Sequence, residues 1–398
     1  MKLRYGLPQE AGMLPERVAH VRELCARWVN QGHTPTLGIC VARRGVIVLH
    51  EAFGILGPGP DSPPLDRRSL FGVGSVTKPV TAMLVMQLVE DGRLGLNRPA
   101  KDYLPELSGD GIDEVLVHHL LTHTSGYLWH NDPPMMEHLQ KRMAASFEPP
   151  PCPKYRHPLM HQVLSPFWDA PRDARAGEVM IYSNHNYELL GEIVCRLSSR
   201  GIEELARERI FAPLGMEDSY YVVPDSESSR VVQRAPGLPF AEPGEGMVGI
   251  GSRIHQELPS AGGGLFTTPL DMTMFGQTML NGGHFGNARI LSPAAVAAMT
   301  RDQIPGIGAR FFNKIMRHAS WGYGWQIESP NKWPYFHGSL QPLGTLAHPG
   351  AGGSTFWIDR GHELVGAYFE VTTRVTENMD HLWNFDLFQN AITAAVDD

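Results

Sequence analysis

The hydrophobic pattern changes period several times along the chain, and each change marks an element. Over residues 14–31, Val18, Val21, Leu24, Cys25, Trp28 and Val29 recur at helical spacing, which predicts an amphipathic helix. Two β-branched runs follow, "TLGICVA" and "VIVLHEAFG", around the short turn "RRG", the pattern of a hairpin. Residues 75–91 are apolar and stop at Gly92, where a left-handed residue ends a helix. "TTPLDM" offers Thr268 as N-cap, Pro269 as first helical residue and Asp271 to complete a capping box, and "LSPAAVAAM" repeats the cap with Ser292 and Pro293. Near the end, "GTLAHPG", "STFWIDRG" and "ELVGAYFEVT" read as strands. A helix over 381–396 follows, with Leu382, Phe385, Phe388, Ile392 and Val396 facing inward.

Strands therefore lie at both ends of the chain with helix-rich sequence between them. That order predicts an α/β (α+β) fold: an antiparallel sheet built from both chain ends and flanked by helices, with a mostly helical region inserted. The expected division is a sheet domain of residues 1–74 and 285–398, and a helical domain of residues 75–284 whose loops wall a cleft. Residues 127–175, rich in proline and aromatics, are expected to form an irregular wall over that cleft. Tyr127, Trp129, Phe167 and Trp168 are candidates for an apolar pocket there, whereas Trp321, Tyr323 and Trp325 are assigned to the core.

Composition narrows the class. The chain is 42% apolar and 19% charged, as globular proteins are, and its formal charge of −8 comes with no basic run, which argues against nucleic acid or an anionic membrane as partner. No stretch reaches the roughly 18 apolar residues of a membrane span, and the N-terminus has no signal-peptide h-region, so a cytoplasmic location is expected. Cys25, Cys40, Cys152 and Cys195 lie far apart without CxxC spacing and are expected to be free thiols. Nothing in the composition speaks to oligomeric state.

Candidate chemistry begins at "LFGVGSVTKPV", where Ser75 and Lys78 stand three apart. A serine hydroxyl needs a base, and at helical spacing an amine three residues on reaches it. Lysine is normally protonated, with a pKa of about 10.4, but burial under the wall would lower it toward about 7–8. Alone the pair is weak evidence, because serine is also a common helix cap. In "AGEVMIYSNHNYELL", Tyr182 and Asn184 point the same way if the segment is extended. A buried tyrosine beside a lysine cation could act as a phenolate base, and an asparagine amide could hold both Lys78 and a substrate carbonyl; a core tyrosine beside a helix cap is the other reading. In "GTLAHPGAGGSTF", glycines in a strand suggest close backbone approach or an edge bulge.

In this order, SxxK, YxN and HxG resemble the serine β-lactamase-like superfamily, in the branch of class C β-lactamases, D,D-peptidases and family VIII carboxylesterases. "LVEDGRLGLNRPAKDYLPEL", "VHHLLTHTSGY", "IFAPLGMEDSYY" and "AGGGLFTTPLDMTMF" extend the likeness over about residues 10–395. The resemblance implies a β-lactamase/transpeptidase-like fold and an acyl-enzyme mechanism without cofactor or metal. It further implies Ser75 as nucleophile, Lys78 as its proton partner, Tyr182 as general base or acid, Asn184, His348 and Gly350 as substrate contacts, and the N–H groups of Ser75 and Ala351 as the oxyanion hole.

One departure bears on substrate. Penicillin-recognising members carry a hydroxyl residue in the middle of the third motif, used for the substrate carboxylate; here Pro349 has neither hydroxyl nor N–H. The expected function is thus a serine esterase acting on small neutral esters, with β-lactamase or D,D-peptidase activity and a non-catalytic penicillin-binding-like sensor as alternatives. Other motifs weigh little. His119 and His123 in "HHLLTH" lack the glutamate of a zinc protease and are expected to be structural; GxSxG, Walker A and a strand-following GxGxxG are missing from the sequence.

Overall fold

The computed structural model describes residues 1–129, 132–144, 151–243, 248–311, 314–331, 337–374 and 383–398. Seven strands make the main sheet: β1 (Arg4–Tyr5), β2 (Thr36–Arg43), β3 (Val46–Gly54), β4 (Gln326–Ile327), β5 (Leu346–Gly350), β6 (Ser354–Asp359) and β7 (Leu364–Glu370). Their order is β1-β3-β2-β7-β6-β5-β4. The two ends of the chain meet where β2 pairs with β7, from Leu37 opposite Glu370 to Arg43 opposite Leu364. The predicted assembly from both termini is thus present. The sheet is not wholly antiparallel, however: β1, too short to leave a hydrophobic pattern, runs parallel to β3.

Alternation along the strands sends side chains to two cores. Leu364 and Tyr368 of β7 and Trp357 of β6 face one side; Val365, Ala367 and Phe369, with Phe356 and Ile358, face the other. The first side is covered by helix α1 (Pro15–Asn30), through Val18, Val21, Cys25 and Trp28, together with the C-terminal helix α5 (Trp383–Thr393), through Phe385, Phe388 and Ile392. Leu382 lies outside the described residues. The second side is covered by α4 (Pro269–Leu280). Thr268 caps α4 by accepting from the Asp271 N–H at 3.2 Å, but the Asp271 carboxylate turns to Asp218 N and Ser219 Oγ, so the cap is not reciprocal. A side chain at Gly276 would place its first carbon 2.4 Å from Val365 Cγ1, which is why α4 can lie so close to β7.

Behind the second core lie helices α2 (Lys78–Glu90) and α3 (Asn184–Ser198), packed on each other. From Lys78 to Leu88 every residue of α2 is buried, which accounts for an apolar run with no polar face. Its C-terminus is as predicted, with Gly92 at φ 68°. The aromatic-rich wall is less irregular than expected, since Pro133–Ala144 and Pro158–Leu164 are helices. Among the described residues, no helix is long and apolar enough to cross a membrane.

Candidate active site

The chain reaches Ser75 through the strand Phe71–Gly72 and a 3₁₀ turn, Gly74–Thr77. Ser75 therefore does not open the helix, which starts at Lys78. In a 3₁₀ turn residues three apart eclipse, so the lysine falls directly over the serine. Gly74 takes φ 53° to make the turn. Thr77 pins it, its hydroxyl donating to the Gly74 carbonyl at 2.6 Å and accepting from the Leu265 N–H at 3.0 Å.

Lys78 Nζ stands 2.8 Å from Ser75 Oγ, and donates to Asn184 Oδ1 at 2.8 Å and to the Gly262 carbonyl at 2.7 Å. The side chain is fully buried while Ser75 keeps part of its surface open. Burial lowers the Lys78 pKa to about 7, with the nearby Glu188 carboxylate opposing that shift. A neutral amine has two N–H bonds and one lone pair. Two of the three neighbours, the Asn184 amide oxygen and the Gly262 carbonyl, only accept, so they take the two N–H bonds and the lone pair is left for Ser75. The set is arranged for a deprotonated lysine to receive the serine proton.

Tyr182 follows the short strand Met180–Ile181 and hydrogen-bonds Ser75 through its hydroxyl. Its ring lies 4.4 Å from that of His123, 5.2 Å from Phe311 and 5.5 Å from Trp129, centroid to centroid, and Lys78 Nζ is 5.0 Å from its centre. Of the two readings of Tyr182, the phenolate is disfavoured: desolvation pushes the tyrosine pKa up, and the hydrogen bond with Ser75 only partly offsets it. Tyr182 is therefore a phenol with a proton to give.

The third motif closes the site. A side chain added at Gly74 would meet Ala351 N at 2.9 Å, so the backbone of Ala351 lies against the Ser75 turn. Gly350 is packed onto Val73. His348 is fully buried, with its ring 5.7 Å from that of Trp321 and 6.2 Å from that of Tyr182. Its Nδ1 bonds the Pro349 carbonyl at 2.8 Å. A carbonyl only accepts, so Nδ1 carries the proton and Nε2, buried without a hydrogen-bond partner among the described residues, is an acceptor. Burial lowers the His348 pKa to about 3, and Lys78 adds to that shift.

All seven residues singled out in the sequence gather here: Ser75, Lys78, Tyr182, Asn184, His348, Gly350 and Ala351. Other expectations fail. Tyr127 is in the core and not in a pocket. Trp321 is in the core as assigned, and it also borders the site through Tyr182 and His348. His119 and His123 part company. His119 Nδ1 accepts from the Leu116 N–H at the start of a short helix, and His123 packs tilted against the ring of Tyr182. His123 sits at φ 58°, unusual for a side-chain-bearing residue, and its Nδ1 accepts from the Ser183 N–H at 3.2 Å. The Gly262 carbonyl, Glu188 and Phe311 escaped the sequence reading, and His123 was read there only as structural. Only "AGGGLF" hinted at the first of these, as glycines where backbone must come close.

Comparison with known proteins shows the family and the fold. The family model described as Beta-lactamase matches residues 17–387. Esterase EstB of Burkholderia gladioli is 27% identical over 339 residues, covering 80% of this chain and 81% of that protein. A penicillin-binding protein homologue from Caulobacter crescentus superposes with a TM-score of 0.73 at 22% identity, over 96% of this chain and 99% of that one. EstCE1, described as a hydrolase with promiscuous acyltransferase activity, gives a TM-score of 0.71 at 19% identity, over the same 96% and 99%.

Proposed function

Because the chain belongs to the beta-lactamase family and is a serine hydrolase acting on small molecules, we propose that it cleaves carboxylic esters through an acyl-enzyme on Ser75. The observation that carries this reading is the Lys78 amine, held by two acceptors with its third position on Ser75 Oγ. In the acylation step Lys78 takes the serine proton as Oγ bonds to the ester carbon. The displaced carbonyl electrons rest on an oxygen held by the Ser75 and Ala351 N–H groups. When the tetrahedral adduct collapses, the carbon–alkoxide bond breaks; Tyr182 gives its proton to the leaving oxygen, and the Lys78 ammonium returns the proton it took from Ser75 to the tyrosine oxygen. Water then repeats the sequence in reverse roles, releasing the acid.

Pro349 and His348 support a neutral ester over a substrate bearing a carboxylate. Proline supplies no donor, and His348 Nε2 carries a lone pair and no proton. Esterase EstB, 27% identical, shows that this family includes esterases at such distances. Parallel rates on p-nitrophenyl butyrate and a chromogenic cephalosporin test the substrate class, and intact-protein mass after an organophosphonate tests the acyl-enzyme. Ester turnover that vanishes in a folded Ser75→Ala variant and a single adduct on Ser75 are expected. A much faster cephalosporin reaction would make it a β-lactamase or D,D-peptidase, and a wild-type protein without an adduct would make it a binder.

A further inference from the structure

Glu188 stands one turn along α3 from Asn184 and is buried, yet the steps above give it no part. Its carboxylate accepts three hydrogen bonds from a single turn. Ala261 N–H meets Oε2 at 3.0 Å, Gly262 N–H meets Oε1 at 3.0 Å, and the Ser260 hydroxyl also meets Oε1. Gly262 in turn directs its carbonyl at Lys78 Nζ. The turn is pressed onto α3: a side chain at Gly262 would place its first carbon 2.9 Å from Glu188 Oε1 and 3.5 Å from the Asn184 carbonyl. So α3 grips Lys78 twice, directly through Asn184 and indirectly through Glu188 and the turn it holds.

The groups facing Lys78 from the surrounding elements are few. Tyr182 and Tyr187 present ring faces at 5.0 and 5.5 Å. His123 and His348 are neutral, and the charge of Lys78 helps keep them so. Among the described residues, Glu188 is the one carboxylate that acts on the Lys78 charge. Three donors and no acceptor around its two oxygens match the ionised form. Burial opposes ionisation and Lys78 favours it.

We propose that Glu188 is a positioning residue for Lys78: it fixes the Ser260–Gly262 turn so that the Gly262 carbonyl holds one amine N–H and the amine's remaining position stays on Ser75. The inference rests on the acyl-enzyme reading above. It predicts two separable consequences. Glu188→Gln removes the charge and sets an amide donor against a backbone donor, so the turn shifts and the Lys78 ammonium loses its stabilising neighbour. Glu188→Asp keeps the charge and only withdraws the acceptor by one methylene.

The test is the rate at which a p-nitrophenyl alkylphosphonate labels Ser75 as a function of pH, with mass spectrometry locating the adduct and circular dichroism checking the fold. The wild type should label once, at Ser75, with a rate that rises through neutral pH; no label would remove the acyl-enzyme reading and this inference with it. With labelling in hand, E188Q should lose about 100-fold in plateau rate, the usual cost of a displacement near 1 Å, and its midpoint should move to lower pH. E188D should lose plateau rate at the wild-type midpoint. If E188Q does not fold, E188D decides, since a wild-type plateau there overturns the inference. An E188Q plateau loss without a midpoint shift, or wild-type behaviour in both variants, overturns it equally.

Discussion

A side chain at Gly350 would place its first carbon 1.9 Å from the carbonyl oxygen of Val73 and 3.3 Å from Ser75 N. The third motif and the nucleophile turn are thus in backbone contact, and only a hydrogen fits between them. Gly350→Ala must push β5 away from the turn and separate the Ala351 and Ser75 N–H groups. On the proposed mechanism the kcat for p-nitrophenyl butyrate falls by about 10²–10³, the usual cost of losing an oxyanion donor. The melting temperature falls as well, because the contact is also core packing. Wild-type kcat in the alanine variant would show that these two amides do not share the oxyanion.

The cage around Tyr182 makes its hydroxyl separable from its ring. His123, Phe311 and Trp129 hold the ring, and only the hydroxyl reaches Ser75. Tyr182→Phe should therefore keep the fold and lose about 10²–10⁴ in kcat, the range for removing a general acid or base. Ester turnover and a thermal melt measured side by side check this. A variant as active as the wild type would assign the whole proton path to Lys78.

The sequence made some of this legible for identifiable reasons. Ser75 and Lys78 are local in the chain, so spacing alone brought them together, even though the turn is 3₁₀ where an α-helix start was expected. The β7 strand showed because both its faces are buried, giving the apolar run LVGAYF. The Gly262 carbonyl was hidden because a backbone acceptor has no residue-type signal. Glu188 was hidden because a glutamate in a helix ordinarily faces water, and its burial follows from a turn more than 70 positions away. His123 at positive φ is set by what encloses it, and no local pattern predicts that conformation. Tyr127 was placed wrongly because aromatic identity does not separate a pocket wall from a core, whereas Trp321, Tyr323 and Trp325 are buried in the core as assigned.

Protonation of Lys78 sets the acid side of the reaction. Burial lowers its pKa to about 7, so at lower pH the amine binds a third proton and has no lone pair for Ser75. The logarithm of kcat/KM should therefore rise with unit slope to about pH 7 and level off above it. Tyr182, with its pKa pushed up by burial, stays protonated through the same window and does not add an acid limb. Stopped-flow rates on an ester whose own hydrolysis is flat with pH measure this. A level profile from about pH 5 to 9 would exclude Lys78 as the base.

Pro349 offers a direct route to changing the substrate class. It pairs with Thr355 of β6, but on its other side β4 has already ended, opposite Leu346 and Ala347. At this position β5 is a sheet edge, so a residue with an N–H can replace proline without disturbing a ladder. Pro349→Thr adds a hydroxyl and an N–H where the chain now has no donor. A hydrogen bond to a charged group contributes about 1.5–3 kcal/mol, and about 1.4 kcal/mol is tenfold. Acylation by a chromogenic cephalosporin, which carries a carboxylate, should therefore speed up by about tenfold or more, with p-nitrophenyl butyrate turnover little changed. Because the neutral ester reports on Ser75, Lys78 and Tyr182 alone, the ratio of the two rates isolates the carboxylate contact. An unchanged ratio in a folded, ester-active variant would mean that the substrate preference is set elsewhere in the cleft.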